Sequence, residues 1–543
     1  MPKAAPARFA ALLRTPEAAL FTLLFVTHAA FFQGGGWNQN SRFNQVRSVV
    51  ESGNPAINRF MVFTLERRAG DAPRLRRQPL PDRLILRPDL PMPNSFDVSY
   101  DRTRGRMFPN KPPGTTFLAL PGYFLIRHIE RLLGVDVDDW WPLTVNAWLT
   151  SALSVGLLGA IGGVVFFRLS RRMFPELADG FHAAAALSLG LGTLMLPFAT
   201  LFFDHVPVAA LLLASFCLMY LVREQVTPIR PRPRLLFAGL LAGTAVVTNY
   251  AAVLIVALLG LYGLLTLRPR GRIAWFVLGG LGPAALLCGY HWACFGDPWT
   301  IVNKHQAAMF QSGEDHFLGV FSLPDPLVLL KLLCSPHRGL LIFCPVLILA
   351  AHGFWMMRTR RRAEMLLCLA VFATLWLMNA AFNGWHGGHS TGPRYLIPAL
   401  PFLALPLALV FARLKWLAAP LAVVSAAIMF FVTAVDVQVS SRVPNPIIDH
   451  LLPLAAGKTI AVDEVNVRGP VSINPVGVYE LSAFRMFPPD SPQARWNSFN
   501  VGEFLWPDRL WSLVVPGAIV LAGAGMVFRR CAWRKASHAS LPR

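Results

Sequence analysis

Apolar runs of about 20 residues return along the whole chain, separated by shorter polar stretches rich in arginine. A run of that length crosses a hydrocarbon core ~30 Å thick as a single helix. The pattern predicts spans near 17–33, 142–168, 181–200, 203–222, 234–249, 250–267, 273–294, 338–357, 364–382, 394–413, 416–436 and 509–528. Two apolar stretches fit this scheme differently. Residues 115–133 are apolar enough to cross, yet His128, Glu130 and Arg131 suit a helix lying along the membrane surface. Leu323 to Leu333 is too short to cross, and Pro324 and Pro326 flank it, so it is expected as a re-entrant piece. No internal repeat and no low-complexity tract interrupts the pattern.

Arginine placement orients the spans. Cytoplasmic loops of membrane proteins carry an excess of Lys and Arg. Lys3, Arg8 and Arg14 precede the first span, and clusters at 168–172, 230–234, 268–272 and 358–362 lie between later ones. The tail from Arg529 to Arg543 is basic as well. All of these fall on one side only if 115–133 stays on the outer face. Both ends are then cytoplasmic, and the first span, which lacks a small-residue cleavage signature, is retained as an anchor.

The expected fold is therefore all-α and integral to the membrane, with about twelve transmembrane helices. Residues 1–436 form the main transmembrane unit, with a long first outer loop at 34–141 that carries juxtamembrane helices. Residues 437–508 form a small outer segment, partly β, with alternating stretches at Thr459–Val467 and Val476–Leu481. The last helix and a basic tail occupy 509–543.

Composition agrees. Residues are 54% hydrophobic and 15% charged, with mean hydropathy +0.48; soluble chains carry about 25% charged residues. The net charge of +21 does not point to nucleic acid, because much of it sits between apolar runs. Seven cysteines without a CxxC pair fall mostly in or beside apolar spans, which fits packing rather than a zinc site or a disulfide framework.

The first outer loop holds most of the early polar sequence. Between Trp37 and Gly114 it has fourteen Arg and Lys against seven Asp and Glu. Long translocated loops escape the orientation rule, so this excess fits anionic headgroups, a polyprenyl phosphate, or a solvated surface. Asp97 and Asp101 precede Lys111-Pro112-Pro113-Gly114. Paired prolines hold the preceding lysine extended, and a lysine so presented suits a phosphate. An aspartate nearby can take a hydroxyl proton.

Other candidates stand where spans meet the outer face. Asp204 lies between Phe203 and His205; an ionisable residue at that boundary is a functional candidate. Trp385-His386-Gly-Gly-His389 precedes Gly392-Pro-Arg394, and Arg394 can fork onto a phosphate. Arg338, in Ser335-Pro-His-Arg-Gly339, is another arginine at the entrance to a span. His386 and His389 lack an acidic partner, so no metal is assigned; no cofactor is expected, and a divalent cation is left open.

Asn40-Ser-Arg42-Phe43 with Val49-Val-Glu-Ser-Gly53, then Lys111-Pro-Pro-Gly, then Asp204, is similar to the GT-C superfamily of membrane glycosyltransferases. The pattern resembles the branch with protein O-mannosyltransferases and the lipid A aminoarabinose transferase. Ser335-Pro-His-Arg-Gly-Leu340, Gly392-Pro-Arg-Tyr-Leu-Ile-Pro398 and Trp496-Asn-Ser-Phe-Asn-Val-Gly-Glu503 look like those of uncharacterised bacterial members. One departure stands out: the family's acid just before the arginine matched by Arg42 is replaced by Gln39 and Asn40.

The resemblance implies transfer, with inversion, of a sugar from a polyprenyl-phosphate donor to an envelope glycan, lipid or protein acceptor. The reaction would run at the outer face of a bacterial inner membrane. It implies Asp204 or Asp101 to deprotonate or orient the acceptor hydroxyl. Lys111, Arg42 and Arg394 would hold the leaving phosphate, with Asn40, His205 and Arg338 nearby. Partners are the lipid-linked donor, the acceptor and membrane lipids, with no nucleic acid. Two other readings compete. A lipid-linked-glycan transporter would carry charges mid-span, and these spans are nearly free of charge. A catalytically inactive binding protein of an envelope assembly would fit the departure at Gln39 and Asn40.

Overall fold

Backbone polar groups in hydrocarbon must be satisfied within their own segment, and the apolar runs accordingly fold as helices. The computed structural model describes residues 14–34, 36–61, 63–66, 74–77, 95–138, 140–225, 230–306, 320–456, 460–462, 465–467, 498–506 and 509–531. Among them six helices are long and apolar enough to cross a membrane: Pro142–Met173, His205–Arg223, Arg270–Phe295, Arg362–Ala381, Leu407–Val435 and Leu510–Arg530. Pro16–Ala29, Ala252–Thr266 and Pro345–Met357 are shorter apolar helices on predicted spans.

Several predicted spans are broken in ways their sequence explains. The run 181–200 folds as Asp179–Leu191 and Met195–Ala199. Residues 394–404 begin as a tight 3-10 turn around Pro398 before a short helix, because proline cannot donate the helical hydrogen bond. The stretch Leu407–Val435 is two helices that meet across a kink at Leu414, whose φ of −123° and ψ of 40° leave the helical region; the kink falls between the predicted spans 394–413 and 416–436. A π-turn at Ala152–Gly156 sits within Pro142–Met173.

Close helix packing here depends on small residues, as is usual where lipid and side chain are equally apolar. Helix Ile273–Phe295 lies against Pro231–Thr248 with Gly279 on Gly239. A methyl at Gly279 would run into the Leu236 carbonyl, and one at Gly239 into the Phe276 carbonyl. Near the predicted cytoplasmic ends, Glu364 is fully buried and pairs with Arg223 and the Tyr262 hydroxyl.

The outer elements are knitted to these helices. Helix Trp37–Ser52 follows the first span, and Gly114–Leu133 packs beside it. The second helix buries Ala119 and Tyr123 and exposes Phe124, Leu125, Ile129, Leu132 and Leu133, a one-sided apolar face suited to a membrane interface. Arg47, buried, bonds Glu51 at 2.7 Å and Asp138 at 2.7 Å, while the Tyr123 hydroxyl donates to Glu51.

Strands are few. Val98–Asp101 pairs with Arg106–Pro109, and Phe63–Glu66 with Arg74–Arg77. Phe31–Gln33, at the exit of the first span, pairs with Ser498–Asn500, so the chain's last outer segment returns to its first. Ile460–Val462 pairs with Val465–Val467 inside the expected partly β segment; Val476–Leu481 lies outside the described residues. The short piece at 323–333 is helix Pro326–Cys334, started by Asp325 accepting from Leu327 N.

The contact between the two glycine-bearing helices gives a test of packing. We expect Gly279→Ala to lower the thermal stability of the detergent-solubilised chain by about 1–3 kcal/mol, as overpacking does. Gly282→Ala, on the same helix with nothing within 4 Å of the added methyl, should be neutral or mildly stabilising. Equal melting temperatures for the two variants would mean that these helices do not meet as described.

Candidate active site

Local sequence positions the lysine. In the Val98–Asp101/Arg106–Pro109 hairpin the chain reverses at Gly105, whose φ is +61°. It comes back beside its own start, where Asn110 N donates to Asp97 O at 3.1 Å. Lys111 follows at once. Pro112 and Pro113 lead into helix Gly114–Leu133, and Gly114 rests on the backbone of Thr248, too close for a side chain. The turn is thereby pressed against the C-terminal end of helix Pro231–Thr248. Lys111 Nζ lies 3.9 Å from Asp97 Oδ1, which also accepts from Asn110 Nδ2 at 3.3 Å.

Asp204 precedes the span His205–Arg223 by one residue. Its Oδ1 accepts from Arg42 Nη2 at 2.9 Å, and its Oδ2 from Asn249 Nδ2 at 2.5 Å. Arg42 is almost fully buried; its Nη1 also donates to Asn38 Oδ1 at 2.6 Å and to Phe202 O at 3.4 Å. Burial would push the Asp204 carboxyl up. Arg42, His205 and the Asn249 amide together outweigh it and hold the group well below the usual carboxylate range. Asn249 is itself fixed, since its Oδ1 accepts from Ala251 N at 2.9 Å.

The third wall is the loop from Asn383 to Arg394. Gly387, Gly388 and Gly392 take positive φ there. Arg338 holds it from beneath: Nε donates to His386 O at 2.8 Å, and Nη2 to Gly388 O and Val439 O at 3.2 Å each. Arg394 then lies over the Phe203 and Tyr395 rings, 5.2 Å from each centroid, a cation–π arrangement. Among the described residues it has no carboxylate partner, and its buried Nε makes no hydrogen bond. Burial lowers His389 to about 4, so it is neutral near pH 7.

These walls enclose two adjoining cavities. The narrower, about 190 Å³, reaches Asp204, His205, Asn249 and Asn379 and is otherwise lined by apolar side chains such as Val208, Ile255 and Leu375. The wider, about 470 Å³, is lined by Trp37, Asp97, His386, His389 and Gln438. Asn38, Lys111, Asn303, Phe382, Arg394 and Tyr395 line both. Two cations thus stand where the cavities meet, and each cavity has one carboxylate. Such an arrangement can hold an anion at the junction and present a hydroxyl to an acidic oxygen. Among the described residues no group of three His, Cys, Asp or Glu side chains is placed to hold a metal.

No family model matches the chain, and no curated protein matches it. Among solved structures it is similar to ArnT from Cupriavidus metallidurans bound to undecaprenyl phosphate, at 15% identity and TM-score 0.46, over 94% of this chain and 74% of that one. The same protein in the apo state gives 15% and 0.45, over 97% and 76%. The archaeal oligosaccharyltransferase AglB from Archaeoglobus fulgidus, in complex with an inhibitory peptide and a dolichol-phosphate, gives 10% and 0.43, over 93% and 68%.

The residues singled out from the sequence fall in different places. Lys111, Asp204, His205 and Arg394 line the cavities, and Arg42 lies directly behind Asp204. Asn40 is buried in helix Trp37–Ser52. Asp101 lines neither cavity: its Oδ1 accepts from Thr103 N at 3.1 Å and Thr103 Oγ1 at 2.6 Å, and its Oδ2 faces Arg106 at 3.6 Å. Arg338 also lines neither, its donors being spent on backbone carbonyls. The acid that enters the wider cavity is Asp97, and Asn38, Asn249 and Tyr395 were not singled out at all. Asn38 had a readable signal, four residues before Arg42 on one helix face.

The buried pair can be tested without knowing the reaction. Arg42→Met leaves Asp204 without its guanidinium and should cost about 3–5 kcal/mol, the range for breaking a buried pair from one side. Adding Asp204→Asn should recover part of that loss, read as a coupling in a double-mutant cycle of thermal unfolding. Strictly additive single losses would rule out the pairing.

Proposed function

We propose that the chain is an integral membrane glycosyltransferase that takes a sugar from a polyprenyl-phosphate donor at the outer face of a bacterial inner membrane. Its acceptor is an envelope glycan, lipid or protein. The observation that carries this reading is the meeting of Lys111 and Arg394 beside the fixed carboxylate of Asp204, at the outer end of a span. A phosphate on a lipid tail arrives at that depth, and the two cations match its charge. The resemblance of the Lys111-Pro-Pro-Gly turn and Asp204 to the GT-C pattern supports the same reading, as do ArnT and AglB in complexes with undecaprenyl phosphate and a dolichol-phosphate.

In this reaction the acceptor oxygen bonds to the anomeric carbon while the bond from that carbon to the phosphate oxygen breaks. The electron pair stays on the phosphate, whose growing charge Lys111 and Arg394 stabilise. The hydroxyl proton passes to a carboxylate. Asp204, clamped by Arg42 and Asn249, orients a hydroxyl rather than taking its proton, because a carboxyl held so low is a weak base. Asp97 carries only Asn110 and a distant Lys111 on one oxygen, and we assign the proton to it. Asp101 keeps the hairpin turn.

Activity separates these roles. In a deletion strain that accumulates the unspent lipid-linked sugar, Lys111→Ala should restore transfer about 10²–10³-fold more slowly than wild type, the cost of one preorganised charge partner. Asp97→Asn and Asp204→Asn should each impair transfer, and Asp97→Asn by about 10²–10⁴, the range for a general base. Asp101→Asn should stay near wild type. Full activity of Lys111→Ala, present at wild-type level, would remove Lys111 from the mechanism, and failure of the wild-type chain to restore transfer in that strain would defeat the transferase reading.

The orientation is proposed with the function: about twelve spans with both ends cytoplasmic. Reporters fused after residues 138 and 390 should lie outside, and those after 172, 232 and 362 inside. A cytoplasmic signal at 138 would mean that 115–133 crosses and the count is wrong.

A further inference from the structure

Asn379 is a carboxamide in the apolar C-terminal part of helix Arg362–Ala381, two residues from its end. It is completely buried, and among the described residues neither its Oδ1 nor its Nδ2 has a hydrogen-bond partner. It lines the narrow cavity, with Leu375, Met378 and Phe382 of the same stretch around it. A buried polar group left without a partner destabilises the fold, and where one persists something else must satisfy it. Leucine or methionine would fill the same space without that penalty.

The other polar groups nearby are already committed. Asn249 gives its amide to Asp204 and its carbonyl to Ala251. The Tyr250 hydroxyl bonds His291 Nε2 at 2.8 Å. Arg42 occupies one Asp204 oxygen and Asn249 the other, and each carboxylate oxygen keeps a second lone pair. A ligand that passes Lys111, Arg394, Asn38 and Asn303 at the junction therefore meets, deeper in, the unpartnered Asn379 carboxamide, the oriented Asp204 carboxylate with His205, and apolar walls. The rings of Phe382 and Tyr395 meet edge to face, 5.5 Å apart, on that wall.

An isoprenoid chain would leave Asn379 as orphaned as it is now. A hydroxyl both donates and accepts, so it satisfies Oδ1 or Nδ2, and two neighbouring hydroxyls satisfy both. We infer that the narrow cavity receives the sugar ring of the donor, not its lipid chain, and that Asn379 reads one or two of its hydroxyls. This inference rests on the polyprenyl-phosphate reading above. It divides the donor in space: the phosphate at Lys111 and Arg394, the ring between Asp204 and Asn379. Asn379 is then a residue that decides which sugar is accepted.

The test uses the full-length chain in detergent and measures affinity for polyprenyl phosphate and for a panel of polyprenyl-phosphate-linked glucose, mannose, galactose and arabinose. At least one sugar should bind wild type more tightly than bare polyprenyl phosphate. Asn379→Leu should bind bare polyprenyl phosphate as wild type does, melt no lower without ligand, and lose about threefold to tenfold of the sugar's advantage, the worth of a neutral hydrogen bond. Asn379→Ala serves if the leucine variant does not fold. In the preferred sugar, removing the hydroxyl read by Asn379 should weaken wild type by a similar factor and leave the leucine variant indifferent. If both variants keep the full advantage, or no sugar in the panel improves on bare polyprenyl phosphate, the inference is overturned and the phosphate site stands. If bare polyprenyl phosphate itself does not bind wild type, the transferase reading falls and this inference with it.

Discussion

The pair between Arg42 and Asp204 is the constraint on which the outer half of this molecule depends. Arg42 comes from the helix after the first span, and Asp204 from the residue before the span His205–Arg223. Joined at 2.9 Å with both side chains buried, they fix the depth and rotation of the outer helix against the membrane bundle. Neither charge tolerates burial alone. Each therefore requires the other; Asn38 serves Arg42 Nη1 and Asn249 serves Asp204 Oδ2, while among the described residues Arg42 Nε has no partner. The walls of the cavity are referred to this point: Phe203, next in sequence to Asp204, is also the ring over which Arg394 lies.

The cations divide by what surrounds them. Arg338, buried, and Arg394, half-buried, both stand beside the glycine-rich loop, but Arg338 meets three backbone carbonyls of that region and is consumed by them. Arg394 meets aromatic faces, which attract its charge, and its Nη2 makes one long hydrogen bond, 3.4 Å, to the Tyr395 hydroxyl. A guanidinium satisfied by carbonyls holds a fold together, and one resting on rings keeps its fork for an anion. Lys111 is a third case. The turn that carries it is pinned at Gly114 against Thr248, so its backbone is fixed while its ammonium, with only the distant Asp97 near it, points into the cavity.

Much of this was legible in the sequence where a residue's role depends on its immediate neighbours along the chain. Lys111 is marked by its prolines, and Asp204 and Arg394 by standing where an apolar run begins. Arg338 carried the same mark and was read the same way; only the fold brings His386, Gly388 and Val439, the last 101 residues away, onto its donors. Asp97 and Asp101 were separated by a signal present but unused. Asp101-Arg-Thr103 followed by Gly105 is a side-chain-capped turn, and a carboxylate accepting from both the Thr103 amide and hydroxyl has little left for a substrate. The break between the spans 394–413 and 416–436 was legible too: Arg413 and Lys415 interrupt the apolar run, and two helices meet across a kink at Leu414.

The replacement of the expected acid by Gln39 and Asn40 takes on a different meaning in this geometry. An acid at position 39, three residues before Arg42 on the same helix, would be placed to compete with Asp204 for it. With an amide there, Arg42 turns its full charge on Asp204 and draws that carboxyl too low to be an effective base. In the proposed reaction the proton then goes to Asp97, the carboxylate that lines the wider cavity and that, among the described residues, pairs with no guanidinium. The altered first loop does not by itself imply lost chemistry. In the proposed reaction the work of one acid is divided between two: Asp204, locked to Arg42, orients a hydroxyl, and Asp97, carried by the hairpin beside Lys111, takes the proton.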